Sequence, residues 1–593
     1  MRLFTLTFGA LLSALLAGCQ QPTTLCEQAS HQIGQVQGSA DISSLLSQQV
    51  SVQGVVLGHV YLDSPTPGLM LQSVQADADP TTAEGIFVVV QEPEKYQKGQ
   101  VLLVKGIVAE VDQLTSLIDA EVLSQCGQQE MQPLALQLPL TAPLSWEALE
   151  GMWISIPQPL VVADTFQLGR YGEILLANER LMVPTQVVAP GPAAQQLAEQ
   201  HTRQAILLDD GAWRQNPDPL PYPNTGLSAQ STLRVGDEVL NVAGIVHQDE
   251  RGYRLLPTQQ PRFNVSNPRP AAPTAALSSE LRIASYNVLN FFTGQGQEPA
   301  FPTRRGARSP EELARQQAKL VSALLALDAD VIGLLELENN GYDTGSAIAT
   351  LLAAVNQQAA EPYNMVITTD KPGSDAIKVG MFYRSNRVVP IGDTALQTAA
   401  PFTRLHRAPI AQSFRHIASE TEFTLAVNHF KSKGSCPRTG SADYELQKDQ
   451  GDGQACWNAA RVTAATALQQ WLQTYPTGIT SPHQVIVGDF NAYRMEDPIR
   501  FFETHGWTYL SEGNAASYSF VFRGQSGSLD HMLASPSLAE KLHHFAHWPI
   551  NADEPVLLDY SLRFKPASQR QQLYDTNPYR SSDHDPIIAT FRF

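Results

Sequence analysis

Charge is scarce in this 593-residue chain: 17% of its residues are Asp, Glu, Lys or Arg, and the 40 basic ones are outnumbered by 58 acidic ones, for a formal net charge of −18. So few cations exclude a passive coat for nucleic acid, because phosphate backbones are gripped by basic patches. A local basic groove or a metal-dependent phosphate site is not excluded. Cysteine is also rare, with five in all. No Cys-x-x-Cys spacing is present, which argues against a structural zinc site. Glycine and proline, 39 and 40 residues, are near average, so collagen-like and low-complexity chains fall as well. After the N-terminal segment no apolar run reaches the roughly 18 residues of a membrane span. What is there is enough apolar material for real cores, 43% of the chain. The length suggests about three to five domains.

The N-terminus carries Arg2, an apolar run from Leu3, and then Leu16-Ala17-Gly18-Cys19. A run this short is a secretion signal rather than a span. The last four residues resemble a bacterial lipobox. That resemblance implies a signal peptide over residues 1–18 and acylation of Cys19. Two or more acyl chains anchor stably to a membrane. Gln20 stands where an aspartate would indicate inner-membrane retention. The expectation is an exported lipoprotein of the outer membrane or cell surface. Cys26, Cys126, Cys436 and Cys456 remain. An even count in an exported chain suggests disulfides, with three connectivities open. Cys436–Cys456, local to one loop, and Cys26–Cys126, bracketing one domain, are favoured over four free thiols.

Residues 19–47 read as the acylated cysteine and a polar tether. Short strands separated by turn residues follow, around 51–57, 69–73, 85–90 and 100–111, giving a β-domain over 48–135. A second β-rich domain is expected over 136–263. Gly99-Gln-Val-Leu-Leu-Val-Lys-Gly-Ile-Val108 is weakly echoed, with one inserted residue, by Gly236-Asp-Glu-Val-Leu-Asn-Val-Ala-Gly-Ile-Val246. Both stretches look like parts of oligonucleotide-binding (OB) barrels, although two unrelated hairpins would give the same pattern. Residues 264–280 are rich in Pro, Ala and Ser and read as a linker. From 281 to 593 strands alternate with amphipathic helices, the pattern of one large α/β domain. Its first helix is signalled by Ser309-Pro310-Glu311-Glu312: a serine cap, proline at the first position, and a capping-box glutamate.

Polar residues crowd the strand ends of this last domain. Asn287 follows Ala-Ser-Tyr, Glu336 follows Val-Ile-Gly-Leu-Leu, and His429 follows Leu-Ala-Val-Asn. Asp489 and Asn491 follow Val-Ile-Val-Gly, Asp530 opens a strand, and Asp583-His584 precede the last one. Each alone is ordinary: a solvated strand end, a turn, a structural histidine. Six together on a rigid sheet suggest a site. The chemistry they share is phosphodiester hydrolysis. Oxygen donors suit a hard divalent cation, and two histidines with carboxylate partners suit proton transfer near neutral pH.

IASYNVLNFF, DADVIGLLELEN, RAPIAQSF, LAVNHFKSK, VIVGDFNAY, SLDHMLAS and SSDHDP, in this order, resemble the endonuclease/exonuclease/phosphatase superfamily, which includes deoxyribonuclease I. The resemblance implies a four-layered αββα sandwich, so the whole chain is expected to be multidomain, with β-rich OB-like modules ahead of that catalytic domain. By position Asn287, Glu336 and Asp583 look like metal ligands for Mg²⁺, with Mn²⁺ or Ca²⁺ as alternatives. His429 and His584 look like the acid/base pair, and Asp530 like the partner of His584. Asp489 and Asn491 look like phosphate- or second-metal-binding residues, and Arg407 like a phosphate contact. Two departures stand out. Leu335 replaces the glutamine usual before the metal-binding glutamate, and the Ile377-Lys378 region offers no carboxylate for His429.

DAIKVGMFYR, NHFKSKGSC, GDGQACWNAAR and INADEP are similar to large bacterial extracellular nucleases. That narrower resemblance supports Cys436–Cys456 and implies DNA, and in some cases RNA, as substrate. Lys431, Lys433 and Arg461 would then line the substrate groove, unless they are a solvated charged loop. A lipid phosphodiesterase is the main alternative; it needs an apolar membrane-facing loop beside the site. A non-catalytic nucleic-acid receptor is a third. No protein partner is implied. The acidity also divides unevenly: residues 1–280 carry −14 and residues 281–593 only −4. It therefore does not oppose a nuclease, but it favours a spacer or docking role for the β-rich modules.

Overall fold

The computed structural model describes residue 26, residues 28–513 and residues 517–593; the signal segment and Cys19 lie outside the described residues. The first unit is a closed barrel of β1 (Gln49–Val60), β2 (Gly68–Ser73), β3 (Gly85–Val89), β4 (Gln100–Val111) and β5 (Leu114–Gln128), in the order β1-β2-β3-β5-β4 and closed by antiparallel β1–β4 pairing. Alternate residues such as Val50, Val52, Leu102 and Val104 fill its core, as the period of a strand requires. The expected tether is in its described part no free tether. A short helix, Ile33–Gln37, inserts Ile33 and Val36 into the barrel core, and Cys26 is bonded to Cys126 on β5. Two apolar residues one helical turn apart decide this in an otherwise polar stretch.

The second unit is a nine-stranded mixed sheet, with Arg262–Asn264 at one edge and Leu134–Ala135 at the other. It is not a second closed five-stranded barrel, and the internal echo shows why. Strand β4 runs unbroken through Leu103. At the equivalent place Asn241 has φ 60°, a left-handed conformation that interrupts a strand. Glu238–Leu240 before it pairs with Leu160–Asp164 and Arg262–Asn264; Val242–Asp249 after it pairs with Trp153–Ile156 and Gly252–Pro257.

The barrel is seated on this sheet. Leu57, Met70 and Phe87 pack with Ile245 and Leu256. Beside them the buried Glu150 accepts hydrogen bonds from Thr115 N (3.0 Å) and Gln37 Nε2 (3.2 Å). Burial, then the charge of Glu147, raises its pKa to about 8 against those bonds. In the unfolded chain a glutamate titrates near 4.3. Between these values the folded chain holds the extra proton, so stability falls as pH rises through that window. Glu150→Gln keeps the accepting oxygen and removes the charge. Thermal melts of the variant and the parent should coincide near pH 4 and separate by pH 9, the variant being more stable by on the order of a few kcal/mol. Parallel melting curves across that range would contradict it.

The C-terminal region begins at Leu281. One six-stranded sheet is centred on Leu281–Phe291 paired in parallel with Val331–Glu338; a second is centred on Glu422–His429 paired in parallel with Gln484–Asp489. The sheets face each other through Ile283, Val331, Leu335, Val427, Val487 and Met532. Helices Pro310–Leu327 and Ala347–Asn356 cover the first sheet, and Asn458–Gln473 and Asp497–Thr504 the second. The result is four layers, αββα. Ser309 caps the first helix, accepting from Glu312 N at 3.1 Å. Cys436 is bonded to Cys456 in a loop over the second sheet.

The nine-stranded sheet is fastened to this sandwich. Leu557, Leu558 and Leu573 of the C-terminal region complete its core. Arg234 pairs with Asp553 and Glu554, Arg180 with Asp553 (2.9 Å) and Arg269 with Glu554 (2.8 Å), the carboxylates being fully buried. Residues 264–280 are therefore a strap rather than a loose linker. Asn267 and Arg269 join that network, and Ala271 O accepts from Trp548 Nε1 at 2.8 Å.

Candidate active site

Both central strand pairs are parallel, and their C-terminal ends open on the same edge of the sandwich. Ligands of α/β sheets bind outside such ends. On the first pair the register shifts between Asn287 and Phe291 and between Leu334 and Leu337. Leu289, Asn290 and Glu336 take φ of 55°, 49° and 65°. Non-glycine residues rarely adopt these values, which cost on the order of 1–3 kcal/mol each and gather at functional sites. The bulges turn the Glu336 carboxylate towards Asn287 Nδ2 (3.1 Å), Asn290 N (2.9 Å) and Asn290 Nδ2 (2.6 Å). No lysine or arginine pairs with Glu336 or Asp583 among the described residues. Asn290 escaped the sequence reading, although Tyr-Asn-Val-Leu-Asn repeats asparagine three positions on.

On the second pair, His429 and Asp489 are register partners. Gly488 permits the close pairing: a Cβ there would lie 1.9 Å from Asn428 O, and φ is 143°. His429 Nε2 stands 3.3 Å from Asp489 Oδ2, and Asn491 N donates to Asp489 Oδ1 (2.8 Å). This is the carboxylate partner that the Ile377-Lys378 region does not provide. Lys378 there donates to Gly341 O (2.6 Å), and burial depresses its pKa to about 8. Burial alone would raise the pKa of Asp489, but the charge of His429, its hydrogen bond, and then His584 hold it at about 2. Oxygens of Glu336 and Asp489 and a nitrogen of His429 lie within 4.8 Å of one another. An anionic, oxygen-rich set with no cationic side chain on Glu336 fits a hard divalent ion. Asp583 lies outside that trio and borders the same recess as Asn290.

His584 donates from Nδ1 to Asp530 Oδ2 at 2.7 Å. Ser519 Oγ donates to the same oxygen (2.7 Å), and the Phe520 ring lies 4.7 Å from the imidazole, centroid to centroid. Burial opposes charge on His584, but Asp530 and then Asp583 outweigh it and hold its pKa well above the usual histidine range. The loop is fixed from behind by Asn551, whose amide accepts from Ser581 N and Ser582 N and donates to His584 O (2.6 Å).

The basic residues divide. Arg407 donates to Phe430 O (2.9 Å) and stands 3.6 Å from Asp375. Lys431 donates to Ser432 and Gly434. Lys433 is not a groove residue. Its ammonium is spent on both oxygens of Glu496 (2.7 and 2.6 Å) and on Gln454 O (2.9 Å). Nor is Arg461, which is fully buried on the carbonyls of Cys456 and Gln454. Together they hold the disulfide loop. The arginines that border Asn290 and Asp583 are Arg304, Arg305, Arg308, Arg563 and Arg580, around a recess of about 500 Å³. Three arginines within five residues of a loop, 304 to 308, were the missed signal.

The sequence model of the Endonuclease/Exonuclease/phosphatase family matches residues 284–584, half of the chain. Residues 135–268 match a domain of unknown function. The chain is similar to Nocturnin of Mus musculus, 23% identical over 249 residues, 42% of this chain and 52% of that protein. It is similar to Nocturnin of Homo sapiens at 22% over 249 residues, 42% and 51%. It thus spans about half the length of the curated relatives it matches. Similar solved structures include the human Nocturnin catalytic domain with bound sulfate anion (18% identity, 53% of this chain, 95% of that chain, TM-score 0.32). Another is D. rerio TDP2 complexed with single strand DNA product (16%, 53%, 100%, TM-score 0.32).

Proposed function

The chain belongs to the endonuclease/exonuclease/phosphatase family, and from that premise we propose that it is a surface-anchored, metal-dependent nuclease that hydrolyses phosphodiester bonds of extracellular DNA, with RNA as a second substrate. The observation that carries this reading is the convergence of His584–Asp530 and His429–Asp489 with Glu336 at one sandwich edge. The arginines around the adjoining recess supply the phosphate-binding charge. The anchor rests on Leu16-Ala17-Gly18-Cys19.

Hydrolysis forms a bond from a water oxygen to phosphorus and breaks the bond to the leaving oxygen. The water must lose a proton and the leaving oxygen gain one. His584, kept protonated by Asp530, is the acid. His429, whose Nε2 faces Asp489 at 3.3 Å, is the second histidine at this edge and takes the proton of the attacking water. Asn491 orients Asp489. A divalent cation held by Glu336, Asn287 and Asp583 would supply, when bound, Lewis acidity at a non-bridging phosphate oxygen.

The strand order of the N-terminal barrel supports an OB-like module. In such folds the face of the second and third strands binds oligonucleotides. Here Met70 of β2 and Phe87 of β3 are buried against Ile245 and Leu256, which favours a spacer and docking role. The purified chain incubated with plasmid DNA, RNA and sphingomyelin, each with Mg²⁺, Mn²⁺ or Ca²⁺ and then with chelator, should cleave the nucleic acids in a metal-dependent way. Cleavage of the lipid alone would sink the nuclease reading.

A further inference from the structure

The catalytic region and the nine-stranded sheet enclose a cleft of about 560 Å³. One wall carries Phe166, on the loop after strand Leu160–Asp164; the other carries the tip of the hairpin formed by Phe520–Phe522 and Gln525–Gly527. Its two turn residues, Arg523 and Gly524, have φ of 50° and 77°, as a type I′ turn demands. The tip is locked in place. A Cβ on Gly524 would lie 2.2 Å from Leu175 Cδ2, and Gln525–Ser526 pair in parallel with Leu181–Met182 of the other unit. Asp164 accepts from Phe166 N at 2.7 Å and also from the Gly524 backbone, so one carboxylate positions both walls.

Phe166 and Phe522 are 64% and 55% exposed, two large apolar rings that line one cleft. The Phe522 ring lies parallel to Phe520, at 6.4 Å and 16°, and Phe520 in turn lies on His584. An aromatic series thus leads from the catalytic histidine into the cleft. Of the three cleft carboxylates, Glu173 and Glu554 are paired, with Arg254 and Arg234 among others, and Asp164 is held by backbone N–H groups. Arg523, against the Phe522 ring, has no carboxylate partner among the described residues. Phe166, Val556 and Arg580 also line the recess at Asn290 and Asp583, so the two spaces adjoin across these residues.

We propose that this interdomain cleft binds an unpaired stretch of the nucleic-acid substrate beyond the cleaved phosphate, its bases stacking on Phe166 and Phe522 and its backbone meeting Arg523. The proposal rests on the nuclease reading. Base–aromatic stacking needs unpaired bases and tolerates any sequence. A lipid surface is disfavoured because both rings stand inside a two-walled cleft, where a bilayer cannot follow.

The test measures binding of a dye-labelled 12-nucleotide oligo(dT), and of a duplex of the same length, to the full chain in chelator. Phe166→Ala and Phe522→Ala should each weaken single-strand binding about 5-fold or more, and the double variant further, with duplex binding little changed. Both side chains are exposed, so melting temperatures should match the parent. An unaltered Kd in the double variant overturns the cleft assignment, as does loss of binding to phosphatidylglycerol vesicles in place of loss for oligo(dT). Metal-dependent cleavage of oligo(dT) by the parent is assayed alongside. If the parent cleaves while the double variant binds normally, the cleft assignment alone fails; if the parent cleaves no nucleic acid, the nuclease reading itself fails.

Discussion

Replacing His584 by alanine is expected to slow phosphodiester turnover by about 10²–10⁴-fold, the range removed with a positioned general acid, while circular dichroism stays native. The ring is buried against Phe520 and fixed through Nδ1 to Asp530. Asp530 is a positioning residue, and Asp530→Asn separates its role from bulk. The amide keeps the shape but lacks the charge that holds the His584 proton. With that charge gone, the largest influence that opposes burial is lost and the imidazole pKa falls. If His584 is the acid, the alkaline limb of the rate profile must then move to lower pH. Movement of the acidic limb to lower pH instead, with activity gained, would assign His584 as the base. Full activity of His584→Ala with a native spectrum would remove the histidine from the mechanism altogether.

Why these residues were legible is a matter of strand texture. Val331–Leu335 and Val485–Val487 are short apolar runs buried on both faces. A polar residue directly after such a run has no place but the sheet edge, so Glu336 and Asp489 could be placed from the sequence. The Asp530–His584 pairing followed from the family resemblance. The partner of His429 did not, because it depends on which strand lies alongside: the parallel register of Glu422–His429 with Gln484–Asp489 is not written in either segment. Lys433 failed for the same reason in reverse. Read locally it is a cation in a basic loop, but Glu496 arrives from 63 residues downstream to neutralise it. The second β-rich domain misled because one residue, Asn241, sends the two halves of a familiar strand pattern to different neighbours. Its contacts with the catalytic region run through Asp553 and Glu554, inside a string that resemblance had flagged but no local rule could explain. Most of the catalytic core was thus legible, and what was missed depends on contacts distant in sequence.

The same logic gives the second large effect, at Glu336. Its carboxylate stands within 4.8 Å of Asp489 with no lysine or arginine among its described neighbours, an arrangement that costs free energy until a cation arrives. Glu336→Gln removes one charge at nearly constant volume, and its amide nitrogen cannot accept from Asn290 N and Nδ2 as the carboxylate does. Two consequences follow with opposite signs. Activity should fall by at least about 10²-fold, as when one transition-state stabilising group is lost, with partial recovery at higher metal concentration. Stability of the metal-free chain should instead be unchanged or rise, because a repulsion has been relieved, as is common where function and stability compete. Calorimetry separates the two. In the parent, saturating Mg²⁺ or Mn²⁺ at about 100 times Kd should stabilise the fold by roughly 2.7 kcal/mol. The variant should show little of that gain at the same concentration. A parent melting temperature indifferent to every divalent ion, with activity surviving chelation, would show that Glu336 is held for some purpose other than a metal. The strained backbone at Leu289, Asn290 and Glu336 would then serve only the hydrogen bonds from Asn287 and Asn290 to Glu336.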